Sequence, residues 1–330
     1  MSGPSRPVLG GVLFAAACTA IIALTAGRLG SFDTVGPTVA FAYPWRLTDP
    51  TTAARWSAWA GYALHNVIAW LIIAQAQRSK LGFGKTFRSA NWWMLGTHAV
   101  FIGLHIVQTQ LFYDGLAQDV PEITALGSVA LMLMVVLILE APRRGLVFGK
   151  SLPFSKRFLR VVKHTHGYLF TWALIYTFWY HPTEGTFGHL AGFFYIFLLL
   201  WQSVLLFHRA HLDKRWTLAL EMLVLPHGVL VAIHQGQGLW PMFAFGFGAV
   251  FVLTQLWGTG LSSLARRAVV AACVVGAVAT YVGLDRLDQW HEIVRIPVLD
   301  YMVVLVLWGL YAVVNTLLVK MKLLPPEETT

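Results

Sequence analysis

Ten apolar runs, each about long enough to cross a bilayer's hydrocarbon as a helix, alternate with polar connections along the chain. They fall near residues 7–27, 54–76, 91–112, 121–140, 164–181, 188–208, 216–234, 239–258, 267–284 and 297–319. Hydrocarbon offers no water to backbone N–H and C=O groups, so such runs must satisfy them internally, as helices. The pattern predicts an all-α, polytopic membrane helical bundle of about ten transmembrane helices, forming one integral-membrane domain over residues 1–330. The first run is too long for the apolar core of a signal peptide, and no small-residue cleavage site follows it.

The connections differ in sign by turns. One set carries Arg78, Lys80, Lys85 and Arg88; then Arg143, Arg144, Lys150, Lys156, Arg157, Arg160 and Lys163; then Arg209, Lys214 and Arg215; then Arg266 and Arg267; then Lys320 and Lys322. The alternate set carries Asp114, Asp119, Glu122, Glu184, Asp285, Asp288 and Glu292. The positive-inside rule therefore places both termini in the cytoplasm, with the bundle in the cell (inner) membrane. The net charge of +9 follows from this bias and gives no reason to expect a nucleic acid partner. Only 12% of residues are charged, against roughly 25% in soluble domains, so the surroundings expected here are membrane lipid.

Trp45, Trp56, Trp92, Trp93, Trp179, Trp216, Trp240 and Trp290 fall near predicted span ends, as interfacial belts do. The two cysteines, Cys18 and Cys273, lie in apolar spans and read as packing residues. The longest connection, about 28–53 with Pro37, Pro44 and Pro50, is external and either covers the outer mouth or is a plain loop. The basic loop 141–163 is too short for a flavin or nucleotide domain, and no soluble domain is visible.

Histidines bring in chemistry. His98-Ala-Val-Phe-Ile-Gly-Leu-His105-Ile-Val-Gln108 is echoed by His227-Gly-Val-Leu-Val-Ala-Ile-His234-Gln-Gly-Gln237. Seven residues are nearly two helical turns, so each pair shares a face, about 10.5 Å apart along the axis. Trp70 precedes the first motif and Trp201 the second, and Arg78-Ser-Lys80 aligns with Arg209-Ala-His211. The repeat reads either as a duplicated hairpin, with parallel units near 54–112 and 188–237, or as chance likeness between apolar helices. Titratable side chains are costly in hydrocarbon, which makes both pairs candidates for ligation, a proton path or buried hydrogen bonding. His65 and Asn66 read equally as packing or site residues. His164, His208 and His211 join the basic face, and His189 and His291 read as external.

Two imidazoles from separate helices are what a haem iron takes as axial ligands. Aromatic residues Phe101, Tyr168, Phe170, Trp172, Tyr176 and Trp179 flank the histidines, with Gly96, Gly103 and Gly167 leaving room for close approach. The stretch from Leu152-Pro-Phe-Ser-Lys-Arg through His164-Thr-His166-Gly-Tyr168 to Trp179-Tyr-His181 resembles the second haem helix of the ferric reductase-like transmembrane family. Leu95-Gly96-Thr-His98 through His105 is similar to its first. The resemblance covers spans three to five and implies b-type haem and electron transfer across the membrane. It implies that His105 and His181 bind an outer haem and that His166 is one ligand of an inner haem, giving one or two haem b groups. Asn91 and Trp92 stand where that family would have another inner ligand.

A competing arrangement pairs His98 with His227 and His105 with His234. Irons about 10.5 Å apart along one helix pair are too close for two haems, so that pairing implies one haem plus a proton-handling or metal-binding pair. The candidate cofactor ligands are thus His98, His105, His166, His181, His227 and His234, and all but His166 are also candidate iron or other metal ligands. The first expected function is a b-type cytochrome, an oxidoreductase drawing electrons from a separate redox partner or quinone. The alternatives are a haem-free metal enzyme acting on a lipid or isoprenoid, and a proton-coupled transporter. Glu221 reads as a His-orienting carboxylate or a residue reaching the interface; Gln108 and Gln237 read as hydrogen bonders to ligand or imidazole, or as packing.

Overall fold

The computed structural model describes residues 6–36, 43–80, 82–113, 115–234 and 238–326. It is all-helical, with 78% helix and no strands among the described residues. The helices are α1 (Arg6–Thr25), α2 (Thr52–Arg78), α3 (Ser89–Phe112), α4 (Glu122–Arg144), α5 (Lys156–Tyr180), α6 (Phe187–Val204), α7 (Lys214–Met222), α8 (Val224–His234), α9 (Trp240–Leu253), α10 (Ser263–Gly283) and α11 (Arg295–Lys320). Of the residues singled out above, Pro37, Asp114 and Gln237 lie outside the described residues.

Every apolar run falls on helix, but they differ in kind. Seven helical segments among the described residues are long and apolar enough to cross a membrane, counting α7–α8 as one and running the last from Leu287 to Lys320. The other three runs fall on α3, α5 and α9. Asn91, His98, His105 and Gln108 dilute the apolar character of α3; Lys156, Arg157, Arg160 and Lys163 open α5; α9 has only 14 residues.

Sequence-local chemistry sets the starts. The Thr51 hydroxyl accepts from Ala54 N at 3.1 Å to cap α2, Ser262 caps α10 through Ala265 N at 3.2 Å, and Asp213 caps α7 through Arg215 N at 2.9 Å. Tyr113 closes α3 in the left-handed region at φ +65°, its N–H donating to Thr109 O at 2.7 Å.

The chain divides into two compact units. The first comprises Met1–Val129 and Gly167–His227, the second Ala130–His166 and Gly228–Thr330. In the first unit α1 packs on α6 and α2 on α3. Two indoles sit directly on glycines: Trp201 over Gly11, its Nε1 donating to Pro7 O at 2.9 Å, and Trp179 over Gly61. The second unit has its core at Met134, Leu137, Ile138, Ala141, Phe158, Val250 and Val304, with α9 packed on α10 and α11.

Trp56, Trp92, Trp93 and Trp290 are exposed, as an interfacial belt requires, but Trp179 and Trp216 are buried core residues. Cys18 and Cys273 are free thiols.

A Cβ at Gly61 would clash with Trp179 Cη2, at the edge of a ring that is only 1% exposed and has nowhere to go. Gly61→Ala gains about 1 kcal/mol of helix propensity but overpacks at a cost of about 1–3 kcal/mol. The expected outcome is a net loss of stability, read as a lower unfolding temperature in detergent. A variant as stable as the parent contradicts this packing.

Candidate histidine site

The buried face of α3 carries Asn91, Met94, His98, Phe101, His105 and Gln108, a stripe at helical spacing. His65 of α2, His98 and His105 are each fully buried at 0% exposure. Which of them can serve a ligand depends on what their ring nitrogens already do.

Four side chains form one directional chain. Trp179 Nε1 lies 3.3 Å from His65 Nδ1, His65 Nε2 lies 2.9 Å from His98 Nδ1, and His98 Nε2 lies 2.8 Å from Ser203 Oγ. Indole N–H only donates, so His65 Nδ1 accepts and its hydrogen sits on Nε2. That hydrogen goes to His98 Nδ1, which places the His98 hydrogen on Nε2, donating to Ser203. The Ser203 hydroxyl in turn donates to Leu200 O at 2.6 Å. Each bond fixes the next tautomer, and both rings have both nitrogens engaged. His65 also stacks on Phe101 at 4.7 Å. The chain ties α2, α3, α5 and α6 together.

His105 is engaged as well. Its Nε2 is 2.8 Å from the backbone carbonyl of His181, and its Nδ1 is 3.0 Å from the Gln108 amide. A carbonyl only accepts, so Nε2 carries the hydrogen; Nδ1 faces Gln108 Oε1, and a neutral ring would accept there with the amide oxygen and nitrogen exchanged. The ring packs 4.2 Å from that of Trp179. Both ring nitrogens of His98 and of His105 face protein groups, so pairing His105 with His181 or His98 with His227 around an iron would require one of these contacts to break.

His181 differs. Its Nδ1 donates to Thr177 O at 2.7 Å, leaving the Nε2 lone pair without a hydrogen-bond partner among the described residues. A ring N–H held by a carbonyl is the usual outer bond of a metal-ligating histidine. Aromatic rings enclose His181: Tyr43 at 5.2 Å, Tyr180 at 5.1 Å and His189 at 5.8 Å. His227 of α8 lies within electrostatic reach of His181, and its Nδ1 is buried without a hydrogen bond. The ring sits 5.5 Å from that of Tyr195, whose hydroxyl donates to Leu220 O at 2.8 Å. A Cβ at Gly192 would stand 3.2 Å from the His227 ring, so glycine gives the imidazole its place. Glu221, also near Tyr195, is a buried carboxylate of the same region.

Compared with known proteins, the chain matches no family model, no curated protein and no solved structure. Function must be read from the site itself.

The other candidates lie elsewhere. His166 belongs to the second unit, its Nδ1 2.8 Å from Lys163 O, and His234 is exposed in that unit too. Among the described residues no three His, Cys, Asp or Glu side chains converge to hold a metal ion.

Sequence reasoning passes over Tyr43, His189 and Tyr195. Tyr43 comes from the long connection, its hydroxyl 2.8 Å from His189 Nε2, and His189 Nδ1 is 2.8 Å from Thr186. The Thr186-x-x-His189 spacing at the head of α6 is the one local signal, since Thr186 is that helix's cap. Burial, then the neighbouring Tyr113, Tyr180, Glu184 and Glu122, pushes the Tyr43 hydroxyl well above the ordinary phenol range. Tyr43 thus stays a neutral phenol beside His181. Burial and the hydrogen bond to Glu184, at 2.7 Å, raise Tyr113 likewise.

Proposed function

We propose that this chain is a multi-pass inner-membrane b-type cytochrome, holding haem through His181 and His227 and passing electrons between a quinone or separate redox protein and an acceptor. One observation carries the reading: His181 and His227, within electrostatic range of each other, each keep a ring nitrogen with no hydrogen bond among the described residues, whereas both ring nitrogens of His65, His98 and His105 face protein groups. Two nitrogen donors match the axial demand of a haem iron, while a lone catalytic zinc takes three protein ligands and a di-iron centre more. The orphaned His227 nitrogen and the glycine beside its ring fit such a group.

Bound haem would supply a one-electron carrier. The protein's part is positioning. Thr177 fixes the His181 ring and its tautomer, and the N–H···O bond makes Nε2 the more basic nitrogen. Tyr43, Tyr180 and His189 limit water around that ring. The chain Trp179–His65–His98–Ser203 is capped by an indole and a backbone carbonyl, neither of which exchanges protons readily, which weighs against a proton-transport role for those histidines.

Reading α3, α5 and α9 as crossings beside the seven apolar segments would make ten. An even number keeps both termini on the cytoplasmic, basic side. In this reading the electrons come from a quinone or a separate redox protein.

The test is an absorption spectrum of the purified protein, oxidised and after dithionite, with haem measured as its pyridine complex. A reducible Soret band with about one haem per chain is expected for one pair of axial imidazoles. Colourless protein with stoichiometric iron or zinc would instead favour a metal enzyme acting on a lipid or isoprenoid. Colourless, metal-free protein showing pH-dependent flux would favour a transporter.

A further inference from the structure

Asp300 lies in the second unit at the sixth position of α11, within an apolar segment running from Leu287 to Lys320. It is 5% exposed, on the same face as buried Pro297 and Val304. No described residue donates a hydrogen bond to its carboxyl group. The haem site makes no use of it.

The charged surroundings are sparse. α9, packed directly on α11, has no ionisable side chain. The turn Leu287–Val294 contributes Glu292, already held by Arg286 and the Tyr281 hydroxyl, and the outward-facing Asp288 and His291. On α11 itself Arg295 points toward Met242 Sδ, and the Tyr301 hydroxyl donates to Leu146 O at 2.7 Å. Arg144, at the end of α4, is buried within electrostatic reach of Tyr301. Toward the end of α11, Asn315 receives Arg157 at 2.9 Å.

A carboxylate taken out of water without donors is costly, and binding a proton removes that cost. The dipole at the start of α11 favours an anion, but its effect fades within the first turn, before Asp300. A bare alkali cation would need several further oxygen ligands, and none converges here. We propose that Asp300 is a proton-binding carboxyl group of the second unit, exchanging its proton from inside the apolar segment. This inference does not depend on haem in the first unit.

The probe is dicyclohexylcarbodiimide, an apolar reagent that attacks protonated carboxyl groups in low-dielectric surroundings. The acid's proton moves to a carbodiimide nitrogen as the carboxyl oxygen bonds to its carbon, and rearrangement leaves a stable N-acylurea on the side chain. The full-length protein is labelled in detergent over a pH series and mapped by mass spectrometry. The expected result is adduct at Asp300 near neutral pH, well above that at the exposed Asp288. Labelling should then fall about tenfold per pH unit once the group ionises. Asp300→Glu should keep the labelling and Asp300→Asn lose it. No adduct at Asp300 in the parent protein, or labelling unchanged across the pH range, overturns the proposal without requiring any variant to fold.

Discussion

Alanine at His181 or at His227 is expected to strip haem from the purified protein, with Soret absorbance per chain falling about tenfold or more. Loss of a residue that merely supports a metal ligand already costs 10–100-fold in affinity, so loss of a ligand sets this as a lower bound. Neither change touches the Trp179–His65–His98–Ser203 chain, so both variants should remain monodisperse and keep their helical circular dichroism. Thr177 binds His181 through its backbone, and Thr177→Val should therefore leave haem in place. Retention of full haem by both His181→Ala and His227→Ala removes the assignment.

His98→Ala should do the reverse, keeping haem per folded chain while lowering stability. The change deletes a fully buried ring, leaves the His65 Nε2 hydrogen without an acceptor and removes the donor to Ser203. An unsatisfied buried donor costs about 1–3 kcal/mol, and the cavity adds about 2–5 kcal/mol if the site cannot collapse. The two terms overlap, so about 3–5 kcal/mol is expected, measured by denaturant or thermal unfolding in detergent. Replacing both rings, as in His65→Phe with His98→Leu, restores packing volume and removes the stranded His65 donor, while Trp179 Nε1 loses its long, 3.3 Å bond. That double variant should recover part of the loss despite carrying one more substitution. If it proves less stable than His98→Ala alone, the two rings are not coupled as described.

The sequence displays the helices well because apolar length is a property of contiguous residues. All ten runs lie on helix, with departures where a local feature intervenes: the seventh is interrupted at Leu223, between α7 and α8, and the ninth is short. The roles of the histidines are far less legible. The motifs beginning at His98 and His227 are nearly alike in sequence, yet His98 and His105 are both buried and engaged, His227 keeps an orphaned nitrogen and His234 is exposed. What separates them is remote in sequence: His65 on α2, Ser203 on α6, a carbonyl at the end of α5 and a glycine at position 192.

The repeat's tryptophans diverge for the same reason. Trp70 donates to Tyr168 O at 3.0 Å with its ring exposed, whereas Trp201 lies over Gly11 and donates to Pro7 O. The motif records which residues share a helix face. It carries no information about what stands opposite.

The sealed chain of His65 and His98 also leaves a mark in time. Both imidazoles are fully buried, so hydrogen on either Nε2 reaches solvent chiefly when the surrounding helices part. After transfer to heavy water, these two imidazole N–H resonances should persist on the timescale of the slowest backbone amides. The corresponding signal of exposed His291 should vanish within the dead time.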